Sequence, residues 1–183
     1  YSSADYMNIS NRSTALSLSQ FNWDAFVLFL VTFWLSSIVL LDFFMMPMMY
    51  ESGMMNEPGF ATGSYSLFWL FNRVEVLCAA SILTGLLVIR ANRSQFDVVA
   101  SGARSRWALI IGGTLLVIAL TYTYFLTPHI SAMGLNLNQF SSDLTPAGMG
   151  ELHLVYWALE AIKLMGAALL VRLCYRDIAA VFR

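Results

Sequence analysis

Four long apolar runs constrain this chain more than anything else in it. They fall at about residues 25–47, 66–89, 107–126 and 152–174. Each is close to the ~20 residues that an α-helix needs to cross about 30 Å of hydrocarbon. A soluble fold of 183 residues could not cover so much apolar surface. A bilayer can, because lipid replaces water around the outside of a helix bundle. The runs lack the alternation of lipid-facing and lumen-facing residues that marks barrel strands. Composition agrees, with 11% charged residues against about 25% in an ordinary soluble domain. The expected fold class is all-α: a polytopic membrane protein, an antiparallel four-transmembrane-helix bundle over residues 25–183. A polar Ser/Asn-rich tail, 1–24, precedes it and lies partly in the membrane interface; as it stands it has no signal-peptide core. Pro47 and Thr127-Pro128 mark the expected ends of the first and third spans, since proline cannot continue a helix cheaply.

The connections differ sharply in charge. Arg90, Arg93, Arg104 and Arg106 lie between the second and third runs, Arg172, Arg176 and Arg183 follow the fourth, and Arg12 precedes the first. The loops at about 48–65 and 127–151 contain no Lys or Arg. The positive-inside rule therefore predicts that both termini and the middle loop are cytoplasmic. A net charge of −1 leaves no footprint for a nucleic-acid partner. The expected surroundings are the lipid bilayer and other membrane-protein subunits, or a second copy of the chain. Cys78 and Cys174 fall mid-span and near an inner helix end, and read as core residues rather than a disulfide.

Charges also fall inside the spans. The second holds Asn72, Arg73 and Glu75, and the fourth holds Glu160 and Lys163. Counted from the outer ends, all four charges share one layer, roughly 12–16 Å deep at 1.5 Å per residue. A charge at mid-bilayer costs at least ~2.5–3.5 kcal/mol, so these groups are expected to pair inside the bundle. Arg73 and Glu75 stand about 200° apart on the helix, so only one can face the fourth span fully. Asp42 in the first span is a candidate partner for Arg73, and Glu160 and Lys163 can pair along their own helix. The network reads as a lock on helix register, as a relay for protons or ions, or as a set of charges that pairs with a partner subunit's charge or a ligand.

The two histidines, His129 and His153, open the loop side of adjacent helices near the outer face. Two such imidazoles could ligate haem b or copper, although no HxxxH or HExxH spacing accompanies them. Met45, Met46, Met48 and Met49 sit at spacings that could bring thioethers to a soft metal such as Cu(I). Equally, methionine fills irregular gaps and forms plastic contact surfaces.

The segment Phe125-Leu126-Thr127-Pro128-His129-Ile130-Ser131-Ala132-Met133, with Leu152-His153 opening the next apolar helix, resembles a family of four-helix membrane proteins built on a domain of unknown function. Asp42-Phe43-Phe44-Met45-Met46-Pro47 and Leu70-Phe71-Asn72-Arg73 are similar to its first and second helices. The family looks distantly akin to copper-resistance membrane proteins and to a haem-binding membrane protoporphyrinogen oxidase. The resemblance implies a bacterial inner-membrane or thylakoid setting and a cofactor possibility at His153. Glu160 and His129 depart from the family pattern, which has a small or amide residue and a basic residue there.

Three functions are open at this point. The first, and the leading one, is a non-enzymatic accessory or assembly subunit of a larger membrane complex, or a homo-oligomer. The second is a haem- or copper-binding protein using His129 and His153, and the third is a small proton-coupled transporter.

Overall fold

A computed structural model of the chain describes residues 22–54, 57, 59–96, 103–140 and 148–181. The tail up to residue 21, Met55 and the side chain of Met149 lie outside the described residues. The elements are α1 (Trp23–Val39), a π-helical turn (Leu40–Met45), α2 (Met46–Glu51), α3 (Phe60–Phe96), α4 (Ala103–Thr121), a second π-helical turn (Tyr122–Leu126), α5 (Thr127–Phe140) and α6 (Met149–Val181). No strand occurs among the described residues. Four stretches are long and apolar enough to cross a membrane: Trp23–Glu51, Thr62–Asn92, Arg106–Met133 and Gly150–Arg176. The protein is thus an integral membrane protein with a four-helix bundle.

Each span begins earlier or ends later than the apolar runs alone predict. The largest differences are at the two prolines, which were expected to end helices and do not. Pro47 and Pro128 each sit at the second position of a helix that directly follows a π-helical turn. Proline in an α-helix lacks its N–H and clashes with the carbonyl four residues back. A π turn widens the coil by one residue and moves that carbonyl aside. The helix therefore continues through the proline, and the apolar rod gains extra turns.

The first span starts at a side-chain cap, where the Asn22 Oδ1 accepts from the Ala25 N–H at 3.1 Å. Along the spans, Thr32, Ser36, Ser37, Thr84, Thr114 and Thr121 donate their hydroxyls to the carbonyl four residues earlier. These hydroxyls are then not left bare in hydrocarbon, where a lone donor is costly.

The spans form a closed ring: the first packs on the second and fourth, and the third packs on the second and fourth. Neighbours pair with rising numbers on one helix and falling numbers on the next, as antiparallel helices do. Trp34 meets Glu75, while Val27 meets Gly85. Asn72 meets Thr127, while Leu86 meets Gly112. Glycine permits the closest of these contacts. A Cβ at Gly85 would collide with the Val27 side chain, and one at Gly112 would stand 3.2 Å from Leu86. A Cβ at Gly166 would stand 3.2 Å from Leu115.

The buried apolar core divides in two. Val27, Val31, Ile82, Leu86, Leu115 and Leu170 fill the half toward the arginine-bearing end. Ile118, Tyr122 and Leu126, with Leu152, Tyr156 and Leu159 against them, fill part of the histidine-bearing end. Outside, Phe29, Leu40, Phe43, Leu77, Val117 and Leu154 stand exposed. A helix that is apolar all round belongs in lipid.

Candidate functional site

Between the two halves of the core lies the one layer of buried polar side chains among the described residues: Asp42, Asn72, Glu75, Glu160 and Lys163. The first π turn carries Asp42 and the second carries Tyr122, and both side chains point inward. Each turn inserts an extra residue, which rotates the helix face after it. Isolated π turns of this kind occur often at functional sites.

Lys163 is the hub. Its Nζ donates to Glu75 Oε1 at 2.7 Å and stands 3.0 Å from Glu160 Oε2. It also lies 4.6 Å from the centroid of the Tyr122 ring. The ammonium thus lies among two carboxylates and an aromatic face. Trp34 Nε1 donates to the same Glu75 oxygen at 3.0 Å, which ties the first span to the second. Glu75, Glu160 and Lys163 are each no more than 2% exposed, so water does not screen these interactions.

The carboxyls are not all provided for. Glu75 Oε2 and both oxygens of Glu160 are buried with no directed hydrogen-bond donor. The Lys163 ammonium is near Glu160 Oε2 as a charge but is aimed at Glu75. Asp42 is buried in the same layer, near enough to Glu160 for the two carboxyls to interact. Asp42 Oδ1 accepts from the Tyr156 hydroxyl at 2.9 Å. The Tyr122 hydroxyl donates to the Tyr156 backbone carbonyl at 2.8 Å, and the two rings meet edge to face at 5.2 Å. A continuous polar chain results, running Asp42, Glu160, Lys163, Glu75, Trp34.

Asn72 has a local role. Its Nδ2 donates to Thr127 Oγ1 at 2.6 Å, and Thr123 Oγ1 reaches the Asn72 carbonyl at 3.4 Å. It joins the second span to the third, beside the second π turn.

Arg73 departs from expectation. It does not pair with Asp42; it is exposed, with its guanidinium 3.8 Å above the Trp69 ring. Residues 73 and 75 face nearly opposite ways, and the inward position goes to Glu75, where Lys163 and Trp34 satisfy it. The long arginine side chain then turns one helical turn back toward the histidine end and lies on an aromatic face. The Glu160–Lys163 pairing along one helix is present as expected. Cys78 is buried and Cys174 half-buried, and neither forms a disulfide.

The histidines and methionines lie elsewhere. His129 and His153 are both exposed. His129 Nδ1 donates to the Phe125 carbonyl at 2.6 Å, an orientation that directs Nε2 away from its own helix. A haem needs an apolar slot around its faces, and neither imidazole lies inside the bundle. These residues in one chain therefore do not enclose a haem. Met45 and Met48 are exposed on the outside of the first span, while Met46 and Met49 are half-buried. Met49 lines a shallow groove of about 280 Å³ with Met54, Glu57, Phe60 and Leu67. Among the described residues no three His, Cys, Asp or Glu side chains converge on a point that could hold a metal ion.

No family model matches the chain, nor does any curated protein or solved structure. Its chemistry is therefore read from its own residues. Sequence reasoning picked out every charged member of the layer but missed Trp34, Tyr122 and Tyr156. Aromatic residues abound in any membrane helix, and nothing in their spacing marks these three. Only Tyr122 and Tyr156 carried a usable signal, as hydroxyls placed mid-span at the depth of the charges.

Proposed function

We propose that this small membrane protein binds and passes protons at the carboxyl cluster, as a proton-coupled transporter would. One observation carries the reading: Asp42 and Glu160 are both buried and near enough to interact, and neither oxygen of Glu160 has a hydrogen-bond donor. Two carboxylates repel each other, and a proton between them turns the contact into a hydrogen bond. A lock on helix register is least costly with equal charges of each sign. Here three buried acids, Asp42, Glu75 and Glu160, surround a single buried base, Lys163. Charge balance in a low-dielectric layer calls for more positive charge, and a proton supplies it in the smallest volume.

The wiring supports movement as well as storage. A proton on the Asp42–Glu160 pair neutralises Glu160 and leaves Lys163 to Glu75. When the proton leaves, Glu160 regains its charge and draws the ammonium back between the two glutamates. On this reading protons come and go from the histidine end, toward which the Asp42–Tyr156 contact extends, because the larger apolar cluster packs the arginine-bearing half. Passage to the other side requires Val31, Ile82, Leu115 and Leu170 to part, the point at which a carried solute could be coupled.

The test is proton flux into liposomes that contain the purified protein and a pH-sensitive dye, under an imposed gradient. Wild-type protein is expected to conduct above protein-free liposomes, and Glu160→Gln to fall to their level. Equal flux from wild type and Glu160→Gln would overturn the reading.

A second reading rests on Arg73, a charge within a span on the outside of the bundle. Intramembrane charges face an interior or a partner almost without exception. We infer an assembly contact at Arg73 and Trp69, made with another subunit or a second copy. Arg73→Gln is expected to shift the purified protein from oligomer or complex to monomer on a native gel. An unchanged band, or a wild-type monomer, would rule this contact out.

A further inference from the structure

The arginine-bearing end has a feature that the proton centre does not use. A groove of about 420 Å³ opens between the third and fourth spans, lined by Trp107, Ile111, Leu169, Arg172, Leu173 and Arg176. Its lining is ordered along the bundle. Ile111 and Leu169 lie deeper in the spans, and Trp107 and the two arginines lie at the mouth. Arg172 and Arg176 are one helical turn apart, so both guanidiniums project from the same face. Both are exposed, as is Trp107 at 60%. Among the described residues no acidic side chain lines the groove.

We infer that this groove holds one anionic phospholipid. Its phosphate lies on Arg172 and Arg176, and an acyl chain lies along Ile111, Leu169 and Leu173. Guanidinium groups bind phosphate oxygens through paired N–H donors. Tryptophan at the mouth fits the headgroup level of a bilayer, where an aromatic body meets apolar chains below and water above. Basic pockets between transmembrane helices are a recurrent way of holding acidic headgroups. A free phosphate ion would use the mouth alone and leave the apolar wall bare, so the two-part lining selects a lipid. The Arg106 side chain, exposed next to Trp107, adds positive charge at the same level.

Native mass spectrometry of the full chain from nanodiscs tests this. The nanodiscs contain equal phosphatidylcholine and phosphatidylglycerol. One bound phosphatidylglycerol is expected to survive in preference to phosphatidylcholine by on the order of tenfold, the effect of two guanidiniums near one phosphate. Arg172→Gln/Arg176→Gln should abolish the preference. Arg172→Lys/Arg176→Lys keeps the charge and should keep most of it, and Arg90→Gln should leave it intact. No preference in wild type would overturn the inference, as would a preference that survives the double glutamine variant. So would loss of the bound lipid on adding inorganic phosphate to the wild-type protein, because that would assign the site to the free ion.

Discussion

Lys163→Met is expected to destabilise the bundle by about 3–5 kcal/mol, the cost of removing one partner from a buried ion pair. The ammonium is the only buried cation among the described residues, and Glu75 and Glu160 both lean on it. Methionine matches its length and cannot match its charge, so the Glu75 carboxylate is left uncompensated in hydrocarbon-like surroundings. Thermal melting in mild detergent, followed by circular dichroism, measures the loss. Adding Glu75→Gln to Lys163→Met should recover much of it, because the orphaned charge is then gone. Wild-type stability in Lys163→Met would mean that the ammonium does not hold the layer together.

Glu160→Gln is expected to behave in the opposite way: the fold stays and the proton function goes. The glutamine amide is nearly isosteric with a carboxylic acid, and its N–H can donate to Asp42 in place of the proposed shared proton. Stability should therefore stay within about 1 kcal/mol of wild type, the scale of one ordinary hydrogen bond. Glu160→Leu offers Asp42 nothing and should cost about 1–3 kcal/mol or more, the penalty of a buried acceptor left unpaired. The same melts rank the two variants. If Glu160→Gln and Glu160→Leu lose stability equally, Glu160 acts through its charge alone and not through a hydrogen bond to Asp42.

Much of this architecture was legible in the sequence, because hydrocarbon imposes a simple rule on a long apolar helix. The four spans and the depth shared by Glu75, Glu160 and Lys163 follow from counting residues. What sequence could not give is where each side chain points after a helix irregularity. The π turns at Leu40–Met45 and Tyr122–Leu126 rotate the faces beyond them, and they carry the helices through Pro47 and Pro128. Asp42 looks like a partner for Arg73 on an ideal helix. With the actual turns it lies against Tyr156 and Glu160, while Arg73 lies outside on Trp69. The two histidines drew attention because they are rare in the chain, yet rarity says nothing of enclosure, and both are exposed.

The central claim is that Asp42 and Glu160 hold a proton between them inside the membrane. Infrared difference spectroscopy of the reconstituted protein reads this directly, through the carbonyl stretch of a protonated carboxyl. At neutral pH the wild-type protein is expected to show such a band, shifted on exchange into deuterium oxide. Asp42→Asn and Glu160→Gln should each remove it, because one proton serves both groups. A spectrum with no protonated carboxyl at neutral pH would contradict the claim, as would a band that survives both substitutions.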